Sequence, residues 1–135
     1  MNEFLTVWSP RVLSILRIIM GFLFLWHGTQ KLFNYPPMPP MPPDAPQMPF
    51  GFLLFAGILE FGGGLLILLG LFTRPVAFIL SGMMAVAYFM GHASGGFLPL
   101  VNGGELAVLY CFVFLYFVFA GGGEWSADNL FGKRE

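Results

Sequence analysis

The chain has 135 residues, 57% of them hydrophobic and only 10% charged, with a formal net charge of −1 and a mean hydropathy of +0.78. A water-soluble domain carries about a quarter charged residues, so this composition reads as an integral membrane protein. The near-neutral charge balance excludes a basic nucleic-acid surface, and a single cysteine, Cys111, excludes an internal disulfide or a two-cysteine redox mechanism within the chain.

Four stretches are long enough to cross about 30 Å of hydrocarbon, which takes about 20 mostly apolar residues. The first covers about 11–33 and is opened by Ser9 as a cap and Pro10 at the first helical position. The second covers about 50–72 and stops at Thr73-Arg74-Pro75. The third covers about 76–92 and gives way to Ser94-Gly95-Gly96. The fourth covers about 104–120 and ends in Gly121-Gly122-Gly123. Beyond the glycines, Trp125, Leu130 and Phe131 in a polar context predict a short interfacial helix capped by Ser126. The expected fold is an all-α integral membrane protein: one domain over 1–135, built as a four-transmembrane-helix bundle with a short C-terminal interfacial helix.

The loop 34–49 holds eight prolines in sixteen residues and predicts polyproline II structure. Three residues per turn place Met38, Met41, Asp44 and Gln47 on one ridge. Thioethers suit copper(I), but successive ridge positions are about 9 Å apart, too far for two sulfurs to share an ion. The loop therefore reads as a stiff lid or docking strap, and no metal site is expected.

Positive charge sets orientation. Arg11, Arg74, Lys133 and Arg134, with Arg17 just inside, stand on the side of the N-terminus, and only Lys31 stands near the other. Both termini are expected in the cytoplasm, with the 34–49 and 93–103 loops facing outward from a bacterial inner membrane. A cleaved signal peptide is not expected, because the first span is long, contains Arg17 and has no small-residue cleavage site after it.

Polar residues inside the spans carry the functional signal. His27, Gln30 and Lys31 lie near the outer end of the first helix, Glu60 near the middle of the second, His92 at the end of the third, and Asn102 and Glu105 at the start of the fourth. A central charge costs about 2.5–3.5 kcal/mol on the insertion scale. Glu60 must therefore face the bundle interior or find a partner, and His27 is nearest in depth. His27 and Lys31 share a helix face, as do Tyr88 and His92, and as do Glu105, Phe112 and Tyr116. These groups are expected around one outward-facing pocket, with Lys31 paired to Glu105 and Arg17 snorkelling to the inner interface. The glycines near Glu60 (Gly57 and Gly62 to Gly64) predict close helix packing.

The segments RIIMGFLFLWHGTQKLF, GILEFGGGLLILLGLFTRP and AVAYFMGHASGGFLPLVNGGELAVLYCFVFLYFVFAGGGEWS resemble the DoxX family of small four-helix membrane proteins. The family takes its name from subunits of a thiosulfate:quinone oxidoreductase. The positions that match its motifs are His27, Gln30, Lys31, Glu60, His92, Asn102, Gly103, Gly104 and Glu105. The chain departs from the family pattern at Met83, where an acid is common, and in the proline-methionine strap.

The resemblance and the polar set together imply a quinone-interacting membrane oxidoreductase subunit. No haem or iron–sulfur ligand set is present, so no covalently bound cofactor is expected and quinone or quinol would be the redox group. His27, Gln30, Lys31, Tyr88, His92 and Asn102 would line its pocket, and Glu60, His27 and Glu105 would relay protons. Electrons would come from a soluble or membrane partner protein, and the chain could form a homo-oligomer. The competing readings are a non-catalytic scaffold or assembly subunit, and a small-solute transporter, for which four helices leave little room for a moving repeat.

Overall fold

The computed structural model describes residues 1–45 and 47–132. It is helical, with no strand among the described residues. Helix α1 (Asn2–Phe33) begins well before Arg11, so Pro10 lies inside the helix instead of opening it. A proline there forfeits one backbone donor. Other bonds tie this turn down: the Pro10 carbonyl accepts from the Ser14 hydroxyl at 2.9 Å and from the Glu124 amide at 3.2 Å. At 1.5 Å per residue α1 is about 48 Å long. That exceeds the hydrocarbon thickness, and its first turns are exposed on all sides.

Helix α2 (Phe50–Leu69) stops short of the expected 72, because Gly70 takes a left-handed φ of 70° and its amide closes onto the Ile67 carbonyl at 3.0 Å. Helix α3 (Thr73–Gly91) then starts earlier than expected. Pro75 falls in its first turn, where a missing donor is harmless. A 3-10 turn (Ala93–Gly95) and a single-turn helix α4 (Pro99–Asn102) shape a loop that carries no sequence signal for them. Helix α5 (Glu105–Ala120) and the short α6 (Ala127–Gly132) complete the chain. Ser126 caps α6 as expected, its hydroxyl accepting the Asn129 amide at 3.2 Å. Lys133 and Arg134, used in the orientation argument, lie outside the described residues, as does Pro46 of the strap.

Helices α1 and α2, and α3 with the turn that follows it, are long and apolar enough to cross a membrane; α5 is apolar but has only 16 residues. Packing is pairwise: α1 lies along α2 and α3 along α5, while α2 and α3 touch less. Glycines set the α1–α2 spacing, but of those expected to do so only Gly57 and Gly64 meet α1; Gly63 faces Leu80 of α3, and Gly62 has no neighbour within 4 Å of a β-carbon. A β-carbon on Gly28 would lie 2.3 Å from the Phe61 nitrogen, and one on Gly64 would lie 2.8 Å from the Leu25 nitrogen. The two pairs join through Phe24, whose ring meets Tyr110 at 5.0 Å and Phe114 at 4.9 Å. Outside this core, Phe22, Phe55, Phe78, Phe89, Phe112 and Phe119 stay exposed, an apolar coat suited to lipid.

Arg17 does not snorkel. It is fully buried and closes one end of the bundle. Its Nη1 donates to the Ile67 and Leu68 carbonyls at 2.7 and 2.5 Å, its Nε to the Gly122 carbonyl at 2.7 Å, and its Nη2 to the Trp125 carbonyl at 2.8 Å. The guanidinium thus satisfies the Leu68 carbonyl at the end of α2, gives Ile67 a second donor beside the Gly70 amide, and ties both to the segment that leads into α6. Arg74 does the same for α5, donating to the Val118 and Phe119 carbonyls at 2.9 and 2.7 Å.

Candidate functional site

A cavity of about 840 Å³ opens among α1, α2, α3 and α5, in the half of the bundle that carries the 34–49 and 93–104 loops. The pattern of helical repeats explains its walls. Phe52, Phe55, Ala56 and Leu59 form one stripe of α2, and Ile79, Gly82, Met83, Val86 and Met90 form one stripe of α3. Phe24, Leu106, Ala107 and Tyr110 supply the remaining apolar wall, and Met48 and Pro49 bring in the end of the strap.

Polar groups gather at one side of this apolar space. Lys31 Nζ donates to Glu60 Oε2 at 2.7 Å, with the Glu60 side chain 6% exposed and that of Lys31 22%. His27 lines the same cavity and stacks edge-on against Tyr110, ring centroids 5.9 Å apart. His92 also lines it, its Nδ1 lying 3.2 Å from the Asn102 carbonyl oxygen. The cavity therefore offers an ion pair and two imidazoles beside a long apolar wall.

The pair that forms is neither of those expected. Glu60 does face the bundle, but it pairs with Lys31 and has no hydrogen bond to His27. Lys31 does not pair with Glu105. At 100° per residue, Lys31 is turned about 40° from His27 toward Gly28, the residue in contact with α2. Gln30 is turned about 60° the other way and is absent from the cavity wall. Helix α5 buries Tyr110, Phe114 and Phe117. Glu105 sits about 140° around the helix from Tyr110 and is exposed, like Phe112 and Tyr116 on its face.

Tyr88 and Asn102 serve the loop instead of the cavity. The Tyr88 hydroxyl donates to the Phe97 carbonyl. Asn102 Nδ2 donates to the Tyr88 oxygen at 3.1 Å and to the Gly96 carbonyl at 2.7 Å, while its Oδ1 accepts the Gly104 amide at 2.8 Å. The NGGEL block thus folds a turn that leads into α5. Tyr110 is the site residue that sequence reasoning missed. Beyond Glu105, α5 is apolar on every side, so the face chosen from Glu105, Phe112 and Tyr116 is the wrong one, and an aromatic repeat at 110, 114 and 117 marks the inner side. Met83 lies on the cavity wall and keeps that wall apolar.

These features define a class: a small helical protein whose apolar helices, three of them long enough to cross a membrane, surround a polar-tipped cavity. Residues 12–93 match the DoxX family model, and the chain belongs to that family. It is also similar to an uncharacterized protein of Haemophilus influenzae, 46% identical over 130 residues that cover 94% of this chain and 96% of the relative. No solved structure matches it.

Proposed function

We propose that the chain is a membrane subunit of an oxidoreductase and binds the head group of a quinone or quinol in this cavity. The observation that carries the reading is the Lys31–Glu60 pair at the polar end of an otherwise apolar space. Such a site fits an amphipathic ring: mostly apolar walls, with few convergent polar groups to fix orientation. Lys31 has three donors and Glu60 accepts one of them, so a ring carbonyl can take another. His27 and His92 stand where they can hydrogen-bond the ring or hold a proton, and Glu60 is the acid available to exchange one. A bound quinone supplies two-electron, two-proton chemistry; the electrons come from a partner protein.

In this reading α5 is a fourth, short crossing, and both termini lie on the cytoplasmic face of a bacterial inner membrane. Cysteines placed at Met41 and Gly132 of a Cys111→Ser variant test the orientation: an impermeant maleimide should label the first and not the second in intact cells.

The function is tested by extracting lipid from the purified protein and by titrating it with a benzoquinone. Co-purifying quinone is expected, and Lys31→Met and Glu60→Gln should each weaken binding by about ten-fold. One observation favours a scaffold instead: Tyr88 and Asn102 both work internally, stapling the 93–104 loop. Folded protein without quinone, and with no affinity for it, would establish that reading.

A further inference from the structure

The cavity has an uncovered side. Phe55 on α2 and Ile79, Val86 and Met90 on α3 line it, yet they are 62%, 54%, 52% and 67% exposed. Residues that face both a cavity and the outer surface form the lips of an opening. These lips are apolar, they belong to two helices able to cross a membrane, and α2 and α3 touch little between them. What lies outside them is therefore lipid rather than water.

Gly82 marks the gap. It lines the cavity on α3, and a β-carbon there would meet nothing within 4 Å. The contrast with Gly28 and Gly64 is direct, since on those residues a β-carbon would strike the neighbouring backbone. Gly82 does not permit helix contact; it leaves room.

We infer that the slot between α2 and α3 is a lateral gateway that admits an alkyl or isoprenoid chain from the bilayer. The ligand then lies with its chain against Phe55, Gly82 and Val86 and its polar end toward Lys31 and Glu60. This deepens the head-group reading and rests on it. A chain is the occupant that fits, because the slot offers no hydrogen-bonding side chain between its lips and runs from lipid to the ion pair.

The test uses the full-length protein and its Gly82→Leu variant in nanodiscs. Gly82→Leu is chosen because the new side chain projects into open space and so should leave the fold intact. Each protein is titrated with decyl-benzoquinone and with the same ring lacking the chain. The chain should tighten binding to the unaltered protein at least about ten-fold. Gly82→Leu should remove that advantage, weakening the decyl compound at least about ten-fold more than the chainless ring. Equal affinity for the two compounds, or an advantage that survives Gly82→Leu, overturns the gateway while leaving the head-group reading standing. If neither compound binds, the head-group reading fails, and a Phe55→Trp reporter decides the gateway separately. Phospholipids brominated along their acyl chains should quench it more strongly with Gly82 than with leucine at that position; equal quenching overturns the gateway. A dimer that falls to monomer on Gly82→Leu would assign the slot to a second copy and also overturn it.

Discussion

Lys31 Nζ and Glu60 Oε2 lie 2.7 Å apart, joining the last turns of α1 to the middle of α2. Glu60 is 5% exposed, so neither charge can be removed without stranding the other. Breaking one partner of a buried pair costs about 3–5 kcal/mol, whereas replacing both by apolar groups is often close to neutral. Lys31→Met and Glu60→Gln should each lower the thermal midpoint in detergent. The double variant Lys31→Met/Glu60→Met should lose less than the sum of Lys31→Met and Glu60→Met. The pair Lys31→Met and Glu105→Gln should be additive, because Glu105 is exposed on another helix face. Non-additivity there, with additivity at Glu60, would reverse the assignment.

Arg17 should be the charged residue least tolerant of change at the opposite end. Its guanidinium serves carbonyls of Ile67, Leu68, Gly122 and Trp125 with three different nitrogens. Arg17→Ala strands the Leu68, Gly122 and Trp125 acceptors, each at about 1–3 kcal/mol, leaves Ile67 only its bond from the Gly70 amide, and should abolish folded protein. Arg17→Lys keeps the charge but offers a point donor instead of a planar fork, so it should recover only part of the stability. A Lys variant with the unaltered melting temperature would show that charge alone holds this end.

How much of this could be read from the sequence depended on whether depth or azimuth was being asked. Depth was legible: an acid at mid-span had to turn inward, and Glu60 does. Azimuth was not. Lys31 and Glu105 start at similar depth with opposite sign, which suggested a pair. The choice of Glu60 is made by the α1–α2 glycine contact, which swings Lys31 toward α2. Helix α5 was faced by Glu105, with Phe112 and Tyr116 above it, and that is the exposed side; the buried side, with Tyr110, is as apolar as the rest and stayed hidden for that reason. Arg17 looked like a snorkelling anchor because its stem is long. Its burial follows from the 121–125 turn folding back to offer carbonyls, a long-range relationship that no local pattern encodes. Polar identity marked Tyr88 and Asn102, but only the fold shows that their bonds go to the loop.

The two kinds of glycine on one side of the bundle make opposite predictions. Gly28→Ala forces a β-carbon to 2.3 Å from the Phe61 nitrogen. The helices must separate, at about 1–3 kcal/mol for overpacking. Gly62→Ala, one helix away, meets nothing within 4 Å and should gain about 0.5–1 kcal/mol from reduced backbone freedom. Thermal unfolding of both variants in one detergent checks this. Equal loss in the two would mean that α1 and α2 are not in backbone contact.

Asp128 should control two segments at once. Its Oδ1 accepts the Phe72 amide at 2.7 Å and its Oδ2 accepts the Thr73 amide at 2.8 Å, which caps α3 from the far end of the chain. Helix α3 has no capping side chain of its own, and the residue before it, Phe72, sits at a left-handed φ of 51°. The Asp128 amide in turn donates to the Gly70 carbonyl at 2.9 Å. The α2–α3 turn and the start of α6 therefore hold each other. Asp128→Asn leaves one side-chain oxygen and sets an NH₂ group against an amide donor, so one of the two caps is lost. By the usual worth of such a cap the cost is about 1–2 kcal/mol. Hydrogen exchange is the discriminating measurement. In Asp128→Asn, amides at 70–76 and at 121–132 should both exchange faster, and to a similar degree. Faster exchange confined to the C-terminal segment would mean that α3 starts without help from Asp128, and that the bond across the turn is a consequence of the fold and not one of its supports.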